Sequence, residues 1–195
     1  MERKGKNGML CLEFANSRWY ARHKPYADPL DDASWRERFS AAWELPRLPQ
    51  GGDALDGLKS FRETVFEAVT MLSREGRVEP AAIDKINKVL ASDARSIELV
   101  REDDRYVAST VCDASDLAIV QGEIARSFVE LATEKPLDRL RVCANPSCDW
   151  VFFDESKSGT RKWCDNRCAS LMKVRKHRAL KKGAEGPSPL DGASC

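Results

Sequence analysis

Four cysteines place the strongest constraint on how this chain can fold. Cys143, Cys148, Cys164 and Cys168 lie in CANPSCDWVFFDESKSGTRKWCDNRC as two close pairs separated by fifteen residues. Each short pair can supply two sulfurs from one local turn, and a tetrahedral Zn²⁺ needs four at about 2.3 Å. Four thiolates fill the shell and leave no position for water, so the spacing predicts one structural zinc ion per chain. Disulfides 143–148 and 164–168 are the competing reading, and they require an oxidising compartment. A thioredoxin-like redox pair requires C-x-x-C, which neither pair has.

The flanking residues suggest how the pairs are delivered. LRV before Cys143 and WVFFD after Cys148 are strand-like, so residues 143–153 read as a hairpin with Asn145-Pro146-Ser147 at its tip. Cys164 and Cys168 are four apart, a helical spacing, and Asp165 and Asn166 sit where a helix would begin. Hairpin plus helix resembles a treble-clef arrangement. The helix N-terminus also favours thiolates through its free N–H groups and dipole. Trp163 is expected to pack beside the cluster.

After Cys168 comes LMKVRKHRALKK, six Lys/Arg and no acid. The net charge of +1 conceals an asymmetry: residues 1–140 carry 21 basic against 25 acidic residues, whereas residues 141–182 carry 11 against 4. A basic helix held by zinc is a common route to nucleic acid, because Lys and Arg neutralise phosphates. The candidate contacts are Arg161, Lys162, Arg167, Lys173, Arg175, Lys176, Arg178 and Lys181, with Lys182 beyond them. Leu171, Val174 and Leu180 form a narrow stripe expected to dock the helix on the finger.

Upstream, the chain reads as mainly α with small β elements. GMLCLEFANS fits either a short buried strand or the start of a helix, and Arg18–Gln50 reads as loop apart from one helix near Ser34–Glu44, capped by Asp31, Asp32 or Ser34. Leu55, Leu58, Phe61, Val65, Val69 and Leu72 predict a helix over Asp53–Glu75, capped by Asp53 and stopped by Gly76. A second helix begins at Pro80. A hairpin turns at Glu102–Arg105, and a third long helix spans Asp113–Lys135, capped by Asp113 or Asp116 and ended by Pro136. These stripes read as core. Cys11 and Cys112 read as small buried residues, and Cys195 as a free thiol in a loose tail. His23 falls in a polar loop and His177 in the basic helix; neither has a partner at catalytic spacing. No nucleophile–base set or carboxylate pair stands out, so no enzyme is expected. No membrane span or secretory signal is read, which places the chain in the cytoplasm.

CANPSCDWVFFDESKSGTRKWC followed by CASLMKVRKHRA resembles the CGNR zinc-finger family of bacterial proteins. Leu10, Leu12, Glu13, Phe14, Asn16 and Ser17 are similar to that family's opening L-x-L-D-F-x-N-T. The resemblance implies a helical, ABATE-type domain over residues 1–138, a finger over 139–182 and a tail over 183–195. It implies a stress-induced transcriptional regulator with the four cysteines as ligands and the Lys173–Arg178 helix facing DNA. Two departures stand out: the last pair is C-x3-C where the family has C-x4-C, and Ala169-Ser170-Leu171 replaces Gly-Asn-Arg. Two functions follow as expectations. One is a zinc-containing DNA-binding regulator whose N-terminal domain senses a small molecule or mediates homodimerisation. The other is a zinc-stabilised protein-interaction module without a nucleic-acid role, its basic helix docked on the acidic body.

Overall fold

The computed structural model describes residues 8–23, 26–93, 95–112 and 114–184. Among these residues six α-helices and two hairpins follow one another, with single 3-10 turns at Pro29–Asp31 and Leu137–Arg139: α1 (Leu10–Arg22), α2 (Ala33–Ala42), α3 (Gly52–Glu75), α4 (Pro80–Ser92), β1 (Arg95–Glu102), β2 (Arg105–Cys112), α5 (Asp116–Glu134), β3 (Leu140–Val142), β4 (Val151–Phe153) and α6 (Asn166–Ala184). The expected mainly helical fold with small β elements is what forms.

From Leu10 onward GMLCLEFANS is helix, and the helix runs on to Arg22, a correction to the expected loop from Arg18. The reason is burial on every side. Leu10, Cys11, Leu12, Phe14, Ala15, Asn16, Ser17 and Arg18 are all buried, so no amphipathic stripe marks the element. Helix α1 lies against α3 and α5, and Phe14 meets Phe39 of α2 and Phe61 of α3, each at 6.2 Å between ring centres. Leu58, Val65, Val69, Val120, Ile124 and Leu131 complete the centre of the core.

The ends follow local chemistry, with two adjustments. Asp32 caps α2, accepting from the Ser34 N–H at 2.9 Å. Helix α3 starts at Gly52, so Asp53 lies in its first turn instead of capping it, and Gly76 ends it in the left-handed conformation at φ 66°. Helix α5 is capped by Ser115, which accepts from Ala118 N–H, with Asp116 in the first turn; Asp113 lies outside the described residues. The β1–β2 hairpin turns at Asp103-Asp104, with Asp103 at φ 52°.

Two partly buried ion pairs fix the packing. Arg62 of α3 grips Asp28 through two hydrogen bonds of 2.6 Å and also donates to the Ser17 hydroxyl of α1. Burial alone would raise the Asp28 carboxyl, but the hydrogen bonds and charge of Arg62 outweigh it and hold it below 3.8. Asp93, at the end of α4, reaches Arg126 of α5 at 2.6 Å. Its side chain is fully buried because Gly122 leaves room; a Cβ there would lie 2.1 Å from the carboxylate.

Two outcomes are expected. Gly122→Ala should cost about 2–3 kcal/mol in urea unfolding, by overpacking and by forcing Asp93 off Arg126. Asp28→Asn should cost about 3 kcal/mol at neutral pH. Its carboxyl is depressed in the folded state, so the wild-type advantage is complete above 3.8 and shrinks as pH falls through the lower folded value. An acid titration of both proteins reads this directly.

Candidate metal centre

The finger is assembled on a short hairpin. Register pairs Leu140 with Phe153, Arg141 with Phe152 and Val142 with Val151, and Cys143 N–H continues the ladder to the Trp150 carbonyl at 2.8 Å. Asn145 forms the turn at the tip: its side chain accepts from Ser147 N–H and its carbonyl from Cys148 N–H. That turn brings Cys143 and Cys148 together. Cys164 precedes α6, and Cys168 sits in its first turn, where Asp165 accepts from Cys168 N–H at 3.0 Å.

All four sulfurs lie within 4.8 Å of one another. Cys148 Sγ is 3.6 Å from Cys164 Sγ, and Cys164 Sγ is 3.7 Å from Cys168 Sγ. Sulfurs about 2.3 Å from a shared centre stand about 3.8 Å apart in a tetrahedron. The sulfurs of Cys164 and Cys168 are well beyond the ~2.05 Å of a disulfide, and none of the four cysteines forms one. Backbone and side chain further satisfy the sulfurs: Asn145 Nδ2 donates to Cys168 Sγ at 3.4 Å, and Cys164 N–H to Cys143 Sγ at 3.5 Å. The Cys143 and Cys164 thiols cannot ionise independently. Hydrogen bonds from Cys148 and Cys164 hold the Cys143 thiol down at about 3, while the same cluster pushes Cys164 far up. A divalent cation at the centre removes that conflict, and the donor set fits one structural zinc ion.

The loop from β4 to Cys164 is organised by buried polar groups. Asp154 has no solvent exposure and accepts from Ser156 N–H at 3.0 Å and Arg161 N–H at 2.8 Å. Burial alone would raise its carboxyl; these hydrogen bonds win and hold it below its ordinary value. Arg139 donates to the carbonyls of Asp154 and Ser156, and Arg141 to that of Gly159. Arg161 lies over Phe152 and donates to the carbonyls of Trp163 and Cys164. Trp163 packs against the sulfurs.

The finger is joined to the helical body through α1. Val151 turns its N–H and C=O away from β3, and Asn16 answers both: Nδ2 donates to the carbonyl at 2.7 Å and Oδ1 accepts from the N–H at 2.9 Å. Asn16 is 1% exposed. One turn on, Trp19 and Tyr20 meet the Trp150 ring edge to face, each at 6.3 Å. His23 caps this arrangement, stacked on Trp19 at 4.0 Å with its second nitrogen facing the Ser147 carbonyl. Leu140 and Val151 belong to the apolar core of the body. Sequence reasoning gave Asn16 no role, although it stood in the opening motif; its partner is 135 residues away.

The eight candidate basic residues are placed as follows. Arg161 is half-buried in the loop just described, and Arg167 pairs with Asp165 at 3.0 Å. Arg175 reaches back to Asn145 and Ser147 at 3.4 and 3.5 Å. Lys162, Lys173, Lys176, Arg178 and Lys181 are exposed, and among the described residues no carboxylate pairs with them. The expected docking stripe is a correction: Leu171, Val174 and Leu180 are 41%, 46% and 65% exposed. The face turned to the finger carries Cys168, Ala169 and Met172 instead, because Cys168 must point at the sulfurs. Of the remaining cysteines, Cys11 is buried and its thiol is pushed up to about 12; the Cys112 side chain and Cys195 lie outside the described residues.

The family model ABATE, described as "Putative stress-induced transcription regulator", matches residues 8–135, and the CGNR zinc finger model matches residues 139–181. The chain belongs to this family of ABATE-domain proteins. No curated protein matches it. No described helix is long and apolar enough to cross a membrane.

The purified chain should carry one zinc, and its cobalt form should show the intense absorption of a closed four-sulfur site; Cys148→Ser should lose the metal. Asn16→Ala removes both hydrogen bonds to the buried Val151 backbone and should cost about 2–4 kcal/mol by urea unfolding.

Proposed function

We propose that this protein is a cytoplasmic, zinc-stabilised DNA-binding regulator without enzymatic activity, in which α6 lies along the phosphate backbone. The observation that carries this reading is the exposed charge of Lys173, Lys176, Arg178 and Lys181 on one zinc-anchored helix, unpaired among the described residues, with Lys162 in the loop before it. Arg175 and Arg167 stand at the finger end of the same helix, where Arg175 ties it to the hairpin tip. Arg161 contributes by holding the loop that carries Cys164. The first 140 residues are net acidic, so phosphate is attracted to the finger and repelled by the body. That field orients the molecule on a duplex before any base is read. Backbone contacts of this kind position a protein and supply little sequence choice by themselves.

A second reading has one observation in its favour. Leu171 and Val174, three apart on one side of α6, are exposed, and an exposed apolar patch is what a protein-interaction helix presents.

Fluorescence anisotropy with random-sequence duplex DNA separates the two. About six phosphate contacts should make affinity fall roughly a thousandfold between 50 and 200 mM salt. Replacing Lys173, Arg175, Lys176 and Arg178 together by Gln should abolish binding while zinc content stays at one per chain. No binding at low salt, or binding indifferent to the four substitutions, overturns the DNA reading in favour of the interaction module.

A further inference from the structure

The β1–β2 hairpin stands outside the core. Among the described residues, none of its side chains belongs to either apolar cluster of the molecule. Register places Ile97, Leu99 and Arg101 on one face of β1, with Ala108 directly opposite Leu99 and Tyr106 directly opposite Arg101. That face is open: Ile97 is 79% exposed, Leu99 74% and Tyr106 69%. The other face is better covered, with Val107 and Ser109 half-buried. Two strands alone are marginal in water, and monomers rarely gather large apolar side chains in one exposed patch.

The charges nearby narrow what could cover it. Glu102, Asp103 and Asp104 crowd the tip, against Arg101 and Arg105, so the hairpin is unsuited to phosphate backbones and anionic lipid. The face itself is self-complementary. A two-fold axis parallel to the strands, between two such faces, sets each Leu99 over the other copy's Ala108. The same axis sets each Arg101 over the other copy's Tyr106. Large side chain meets small and cation meets aromatic ring, twice over, as an isologous contact requires.

We propose that this hairpin face is a self-association surface and that its occupant is the hairpin of a second copy of this chain. Covering Ile97, Leu99 and Tyr106 on both copies removes roughly 1,000 Å² of surface, at the lower end for specific interfaces. The dimer is therefore a weak, concentration-dependent one. The inference stands apart from the DNA reading, since the finger and α6 take no part in it.

Sedimentation velocity of the zinc-loaded full chain, from low micromolar to about 100 µM, tests it without DNA. The wild type should shift from monomer towards dimer across that range. Leu99→Glu should remain monomeric throughout, and the milder Ile97→Thr should weaken association at least about tenfold with unchanged circular dichroism. If Leu99→Glu fails to fold, Ile97→Thr decides. A wild type that stays monomeric at every concentration overturns the proposal and leaves the face to a different protein. A dimer that the substitutions leave intact overturns it as well, placing the interface elsewhere.

Discussion

The finger depends on two hydrogen bonds from one side chain. A three-residue strand such as β4 has little stability of its own, and its outer edge is buried against the helical body. An N–H and a C=O left bare there would cost about 1–3 kcal/mol each. Asn16 answers both, acting as a one-residue third strand presented from a helix. An amide suits this position, because it offers one donor and one acceptor side by side at any pH, which an ionised carboxylate cannot. Around this clamp, Trp19, Tyr20, Trp150 and Phe152 wall one side of the sulfur cluster. Zinc in this protein therefore braces more than the finger: the cage and the first helix share one set of contacts.

The basic residues of the C-terminal third include two contrasting kinds. Arg139, Arg141 and Arg161 turn inward and bond backbone carbonyls, fixing the loop between β4 and Cys164. Guanidinium groups suit this work, since several donors in one plane can satisfy neighbouring carbonyls. Lys162, Lys173, Lys176, Arg178 and Lys181 face water. The sequence alone cannot separate the two kinds, because both are simply Lys or Arg in a basic stretch.

Legibility followed the range of the interactions involved. The four cysteines were readable because zinc imposes local spacing, and α3, α4 and α5 because each has a dry stripe and a wet face. Helix α1 was ambiguous because it is buried all round, which removes the periodicity that marks a helix. Asn16 and Val151 could not be paired by pattern, since nothing local links positions so far apart. Leu171, Val174 and Leu180 misled for a related reason: at about 100° per residue Leu171 and Leu180 lie on opposite sides of α6, so the three cannot dock on one surface, and all are exposed.

The coupling of cage to body is tested most directly by amide hydrogen exchange with zinc bound and after chelation. If the two share one set of contacts, removing zinc should raise exchange at the Val151 amide and along residues 16–22 of α1, together with the cysteine loops. Faster exchange confined to residues 143–168, with α1 as protected as before, would contradict the account and make the finger an independent module.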